Sequence, residues 1–262
     1  DVDCGTGTNI TLWTREDKVY RITPRQNDAV NSCWMPDSHR LNYKYINAET
    51  RIPQPVIRTD AEAPHRPSTW EPALASAAEA VKRIAPNQLA IIASGRMTNE
   101  ELYMVRHLAA QIGTDMVDIV PRMGESDGML ISADRNPNGA RLVLDIEPGS
   151  RLDAIREGVR SGSVKGILSL GEDLISPEAG FTAEDLDKLD YLFMTAHSAN
   201  ETARHADLVL PGVTYAEKFG TMINVTGRIQ RLNRAIQPIG YARDDWQIFR
   251  DITLLLGGNP AL

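Results

Sequence analysis

Alternation of apolar and polar positions marks the first part of the chain. Asn9 to Arg15 (NITLWTR) alternates, with Ile10 and Leu12 on one face, as the two-residue period of a strand requires. A charged turn, Glu16-Asp17-Lys18, leads to a second run, Val19 to Thr23, and the pair predicts a hairpin. A Pro- and Asn-containing loop follows from Pro24 to Asn31. Met35 to Ile46 is expected to hold a short helix and Arg51 to Arg58 an extended segment. Asp60 to Pro67 (DAEAPHRP) is polar, proline-containing and without apolar period, and is the linker candidate.

Beyond it the period changes. Leu74, Ala77, Ala78, Val81 and Ile84 form one helical stripe, with Ser68 and Glu71 as a capping box and Pro72 confined to the first turn. Leu89 to Ser94 reads as a buried strand. Thr98 and Glu101 form a second capping box ahead of the stripe Leu102, Val105, Leu108, Ala109 and Ile112, which Gly113 ends. Met116 to Val120 reads as a strand and Met123 to Gly139 as a loop. Ala140 to Ile146 is apolar again, and Ser150 with Asp153 opens a helix carrying Leu152, Ile155 and Val159. Gly166 to Gly171, Tyr191 to Ala196 and Leu208 to Pro211 are further buried strands. This order predicts a small β-rich N-terminal segment (residues 1–58) followed by a layered, Rossmann-like α/β body (59–262) with a mainly parallel sheet.

Composition narrows the function classes. The 262 residues carry a net charge of −7, and Lys and Arg form no run longer than a pair, so nucleic-acid binding is not expected. No apolar run approaches the ~18–20 residues of a membrane span, no signal peptide is visible, and no direct membrane insertion is expected. The two cysteines, Cys4 and Cys33, point to a reducing compartment rather than a disulfide framework. The chain starts at Asp1 rather than Met, and we expect it to be a fragment, a processed product or the ordered part of something longer.

Short motifs exclude more than they assign. Gly5-Thr6-Gly7 lacks the third glycine of a dinucleotide loop and precedes a strand instead of following one. The five histidines and two cysteines show no zinc spacing. There is no nucleophile elbow, and Ser169 lies inside a strand.

Longer pieces carry more. DVDCGTGTNI and VYRITPRQNDAVNSCWMPDSHR stand near the N-terminus; ILSLGED, NETARHADLVLPG, AEKFGTMINVTGRIQ and YARDDW follow downstream. Singly each has an ordinary reading: Asn200 or Ser198 caps a short helix, Gly220 and Gly227 supply turns, and Arg243 and Asp245 pair on the surface. Together and in this order they resemble the molybdopterin oxidoreductase family, which includes formate dehydrogenases, nitrate reductases and the large iron–sulfur subunit of respiratory complex I, the last being the nearest likeness. The carrying residues are Glu201-Thr202-Ala203, Ala206 to Pro211, Glu217-Lys218, Gly220-Thr221, Asn224, Gly227-Arg228, Gln230 and Ala242 to Trp246. The likeness spans essentially the whole chain and is loosest from Met116 to Ser150. By family analogy, residues 95–163 form an inserted lobe.

Departures from the family pattern shape the expected function. Relatives with an N-terminal [4Fe-4S] cluster place four cysteines at positions that fall here on Asp1, Cys4, Thr8 and Pro36. Four irons need four thiolates, and only Cys4 remains; Cys33 lies three residues from the fourth position. No equivalent of the Cys, selenocysteine or Ser that relatives bring to molybdenum stands between Ser94 and Gly166. Relatives continue into a β-barrel-like domain that grips the pterin nucleotides, which the residues up to Leu262 do not include. In relatives the loop matching Gly171-Glu172-Asp173 meets a pterin nucleotide; here Asp173 replaces an expected Asn, and its charge opposes a phosphate. The remnant cofactor contacts are therefore Cys4, Gly171 and Asp173, with no catalytic residue, metal ligand or bound cofactor expected in this segment.

The resemblance implies a non-catalytic scaffold in an NADH-quinone oxidoreductase, supporting electron transfer from NADH to quinone. Iron–sulfur clusters would lie in the upstream part of the parent polypeptide. The remaining components of the peripheral arm of complex I would be partners, and the location would be the cytoplasmic side of the inner membrane or the mitochondrial matrix side. The alternative is a molybdopterin-dependent, formate-dehydrogenase-like oxidoreductase component completed by another chain.

Overall fold

The computed structural model describes residues 1–58, 63–122, 134 and 136–259. The expected hairpin is present: β1 (Ile10–Arg15) pairs antiparallel with β2 (Lys18–Pro24) across a turn in which Glu16 and Asp17 both take positive φ. The helix expected within Met35 to Ile46 is two short pieces, α1 (Asp37–Arg40) and a 3-10 turn, Lys44–Asn47. Two-residue strands follow, β3 (Val56–Ile57) and β4 (Arg66–Pro67). Residues 59–62, which include the start of the expected linker, lie outside the described residues, and the linker's last two residues are β4.

The body then alternates helix and strand: α2 (Trp70–Arg83), β5 (Leu89–Ala93), α3 (Asn99–Ile112), β6 (Val117–Ile119), α4 (Pro137–Leu144), α5 (Leu152–Ser161), β7 (Gly166–Leu170), α6 (Ala183–Leu186), β8 (Tyr191–Ala196), α7 (Glu201–His205) and β9 (Leu208–Pro211). A second hairpin, β10 (Gly220–Ile223) and β11 (Ile229–Leu232), precedes α8 (Asp245–Leu255). Most of the expected 123–139 loop lies outside the described residues. Among the described residues, no helix is long and apolar enough to cross a membrane.

Helix starts show where local signals suffice. Thr98 caps α3 as expected: its hydroxyl accepts from Glu101 N, Glu101 accepts from Thr98 N, and Gly113 closes the helix at φ 82°. Ser68 does not cap α2. The N-cap is Thr69, without a side-chain bond, and the third helical residue is Pro72, which has no N–H to offer a cap. Ser150 does not cap α5 either. Buried Asp118 of β6 serves that turn from across the fold, accepting from Gly149 N (2.8 Å) and Arg151 N (2.7 Å).

Among the described residues the main sheet has seven strands in the order β4-β3-β9-β8-β7-β5-β6. Strands β6, β5, β7, β8 and β9 are parallel, while β3 and β4 extend the sheet antiparallel. Side-chain alternation splits the core in two. Leu89, Ile91, Leu168, Leu170, Phe193 and Leu210 face α2, α3 and α8; Ala90, Ile92, Ile167, Leu192, Met194 and Val209 face the layer holding α5. Each fully buried Leu or Ile contributes roughly 1.5–3 kcal/mol. Residues 95–163, the stretch expected as an inserted lobe, share this sheet and core through β6, Leu102 and Leu108.

The N-terminal segment is joined to the body through both a strand and a shared core. Its strand β3 pairs with β9. Its own core is completed from far along the chain: Val2, Val19 and Ile46 pack with Tyr215, Met222, Leu232 and Ile236.

Candidate functional site

The chain order places a switch in the sheet. After β5 it adds β6 on one side, then crosses to add β7 on the other. The loops leaving β5 and β7 diverge there, and such crevices at the carboxyl ends of parallel strands are where open α/β sheets bind ligands. Gly171, at φ 72°, turns the chain out of β7 beside Ser94 and Met97 of the β5–α3 loop.

This crevice is nearly filled. A cavity of about 80 Å³ remains between the strand ends and the N-terminal segment, lined by Ser94, Gly171, His197, Lys218 and Asp245 with Val2 and Tyr45 above. Ligand pockets usually offer ~300–1,000 Å³. Paired charges occupy the ground. Lys218 Nζ donates to both Glu101 oxygens at 2.8 and 2.9 Å, with both side chains buried. Glu101 is thus at once the N3 partner of the α3 capping box and the counter-ion of Lys218. Burial lowers the Lys218 pKa, but Glu101 and Asp245 outweigh it and the net shift is upward. Asp245 is pushed up by burial and by Glu101, against the pull of Lys218 and the neighbouring Thr195 hydroxyl. Its carboxylate lies so close to Gly212 that a Cβ there would stand 2.8 Å from an oxygen, so only glycine fits.

A second buried pair binds the layers together. Arg51 donates to Glu217 Oε2 at 2.7 Å, to Ile46 O at 2.7 Å and to His197 O at 3.0 Å. Glu217 also accepts from Thr214 N, the Thr214 hydroxyl and Ile239 N, so its lone pairs are well used. Arg96 of the β5–α3 loop reaches Asp3 at 2.8 Å. His197 lies largely enclosed beside the Tyr45 ring; burial, then repulsion from Arg51, Lys218 and Arg96, holds its pKa down to about 3, so it is a neutral imidazole.

The residues expected as remnant contacts behave differently from one another. Gly171 lines the crevice. Asp173 turns away: its carboxylate accepts from the Thr202 hydroxyl at 2.6 Å and from Thr202 N and Ile175 N, bracing the first turn of α7. Its neighbour Glu172 is held bidentately by Arg122, with Asp134 alongside. Burial pushes Asp134 up to about 6, with Arg122 opposing. Cys4 is buried, its Sγ 3.2 Å from the Thr8 hydroxyl. Burial raises its pKa and the hydrogen bonds, Thr8 first, more than offset that, leaving it lowered. Asp1 pairs with His39 Nδ1 at 2.5 Å, and Cys33 is exposed. Among the described residues no group of three or more His, Cys, Asp or Glu is assembled to hold a metal. One thiol with a hydroxyl and an ion pair around it does not fit a [4Fe-4S] cluster. Among the described residues, the cavity of about 80 Å³ beside Gly171 is too small for a pterin nucleotide.

Surface pairing of Arg243 with Asp245 is not what forms. Arg243 lies over the Trp70 ring at 4.1 Å and faces Asp251 at 3.5 Å, while Asp245 is buried. Asn200 does cap α7, accepting from Ala203 N. Sequence reading missed Arg51, Lys218 and Asp245 as one buried network. Their signal lay in the Glu217-Lys218 and Asp244-Asp245 pieces, charged residues beside apolar strands and helices.

Known proteins place this geometry. A family model described as "Molybdopterin oxidoreductase" matches residues 119–253, just over half of the chain. Another, "NADH-ubiquinone oxidoreductase NDSU1/NuoG-like, 4Fe-4S domain", matches residues 1–44. A Staphylococcus haemolyticus protein named "Putative formate dehydrogenase" is 35% identical over 120 residues, covering 45% of this chain and 12% of that protein. A like-named Staphylococcus aureus protein is 37% identical over 118 residues, covering 44% of this chain and again 12% of that protein. The chain therefore matches only a small part of these relatives. The solved acetylene hydratase of Pelobacter acetylenicus superposes with a TM-score of 0.68 at 10% identity, covering 98% of this chain and 69% of that one, a likeness of fold. The sheet, its switch-point crevice and the family model over residues 119–253 agree, and the chain belongs to the molybdopterin oxidoreductase family.

Proposed function

We propose that this chain is the molybdopterin-oxidoreductase-like part of the large iron–sulfur subunit of a complex I-type NADH-quinone oxidoreductase, and that it serves there as a non-catalytic scaffold. The observation that carries the reading is the narrowing of the switch-point crevice to about 80 Å³, with Asp245 and the Glu101-paired Lys218 in its lining. A fold that binds a large anionic cofactor at this edge must leave room for it. Among the described residues, the cavity beside Ser94 and Gly171 keeps only about 80 Å³, with Lys218 and Asp245 in its lining. The NuoG-like match over residues 1–44 supports the parent assignment, and the presence there of only two thiols, buried Cys4 and exposed Cys33, supports a cluster-free segment.

In this role the residues hold layers together rather than carry electrons. Arg51 and Glu217 lock the N-terminal segment onto the body, and Arg96 with Asp3 does so again at the rim. The clusters that conduct electrons from NADH toward quinone would belong to the preceding part of the parent polypeptide. The other components of the peripheral arm would be the partners, on the cytoplasmic side of the inner membrane or the matrix side of a mitochondrion.

The names of the staphylococcal relatives favour a second reading, a formate-dehydrogenase-like oxidoreductase component that holds molybdopterin with the help of another chain. Metal and pterin analysis of the intact parent protein from its own cells separates the two. The scaffold reading expects no stoichiometric molybdenum, tungsten or pterin, and co-purification with flavin- and iron–sulfur-containing partners that oxidise NADH. Stoichiometric metal with extractable pterin would sink it.

A further inference from the structure

The β10–β11 hairpin has one blocked edge and one open edge. Asn224 N donates to Arg228 O, and the register then runs Met222 to Gln230 and Gly220 to Leu232. In an antiparallel ladder, hydrogen-bonded and non-bonded pairs alternate, so the main-chain groups of Thr221, Ile223, Ile229 and Arg231 point outward. On β10 they are covered: Thr221 N donates to Glu100 Oε2 at 2.9 Å and Ile223 N to Asn136 Oδ1 at 2.7 Å. On β11, among the described residues, no protein group accepts from Ile229 N or Arg231 N. Folds normally blunt such an edge, because it is a ready template for another strand.

That open edge lines a groove of about 450 Å³. Asp1, Ile10, Leu12 and Arg25 also line it, with Arg231 on β11 and Arg228 and Arg234 just beyond its ends. Arg25 donates to Asn9 and Arg234 faces Asp244. Arg228 and Arg231 have no carboxylate within ion-pair distance among the described residues. The chain as a whole carries −7, so a run of arginines beside an unpaired edge is a local reversal of its charge. Ile229 and Arg231 share the exposed face of β11, while Gln230 and Leu232 turn inward. Gln230 Nε2 donates to Gly7 O at 2.8 Å and its amide occupies the space a Cβ on Gly7 would need, which holds the strand firmly against the N-terminal segment.

We propose that β11 is a docking edge for an extended acidic segment of a partner protein, added as a third strand to the β10–β11 hairpin. Main-chain bonds to Ile229 and Arg231 supply affinity, and carboxylates three residues apart, on the two faces of the added strand, pair with Arg228 and Arg231. The site stands on the groove and the register alone, independent of the scaffold reading.

The test uses the whole chain and a short fluorescent peptide of Glu and Thr with glutamates three residues apart, on both faces of the strand, with anisotropy as the readout. We expect saturable binding, weakened by about tenfold or more in the doubly charge-reversed Arg228→Glu/Arg231→Glu protein, whose thermal midpoint should match the parent's because both side chains are exposed. On the unaltered protein, N-methylating alternate peptide residues keeps the charge and removes main-chain donors; it should weaken binding by a similar factor. Failure of the acidic peptide to saturate, or equal binding by the N-methylated form, would overturn strand addition. Sedimentation showing copies of this chain pairing through β11, abolished by the same reversal, would also overturn it in favour of self-association.

Discussion

At the carboxyl edge of the main sheet, Lys218, Glu101, Asp245, Arg51 and Glu217 are buried and each has charged or hydrogen-bonding partners. Near Cys4 the thiol meets only a hydroxyl four residues on and Asp1 a partly exposed His39, while Asn224 and Gln230 reach the main-chain oxygens of Thr6 and Gly7. The family pattern puts a cofactor in both places. On the scaffold reading, a long-range network fills the middle of the fold where the large cofactor would sit, and nearby side chains cover the loop where the small one would sit. Both places are buried, so the difference lies in charge: deep in the fold an unpaired charge costs several kcal/mol, whereas the thiol of Cys4 and the hydroxyl of Thr8 need only each other.

The strongest way to break this contrast is at Lys218. Lys218→Met leaves Glu101 and Asp245 buried without their cation, and unfolding in denaturant should show a loss of about 3–5 kcal/mol. Adding Glu101→Gln should restore part of it, because the two residues form one unit. A small additive effect would mean the network does not hold the crevice shut.

A pH titration sharpens the comparison. His197 is neutral in the fold with its pKa near 3 against an ordinary 6.5, so the unfolded chain takes up its proton first. Its contribution is complete above pH 6.5 and is lost as pH falls toward 3. At pH 5 the loss is about 1–2 kcal/mol, allowing for the ring's remaining exposure. Asp245, raised in the fold, acts in the opposite direction, so the difference between parent and His197→Gln isolates the imidazole. Parallel stability curves for the two proteins between pH 7 and pH 4 would refute the assignment.

The smallest effect belongs to the N-terminal loop. Cys4→Ser should cost no more than about 1 kcal/mol in thermal or chemical unfolding. Anaerobic incubation with iron and sulfide should give neither protein a thiolate-to-iron absorption band. A band in the parent that vanishes in Cys4→Ser would show a cluster bound there after all.

Much of the body was legible because its determinants are local. The α3 stripe, the Thr98 box, Gly113 and the strands after Leu89, Gly166 and Tyr191 all stand where periodicity places them. Where reading failed, a distant residue had taken over a local task or a proline had removed the donor it needed. Asp118 serves the start of α5 in place of Ser150, and Pro72 deprives α2 of its cap. Asp173 was a reasonable cofactor contact by position, but the loop turns its carboxylate onto Thr202.

The sequence alone determined the layered α/β body, because two-residue and helical periods are written in adjacent positions. It also determined the shortage of thiolates, since a missing cysteine is a matter of composition and spacing. Only the tertiary structure decided that the crevice is closed. Arg51, Glu101, Lys218 and Asp245 lie far apart along the chain, and their charges tolerate burial only where folding brings each beside its opposite.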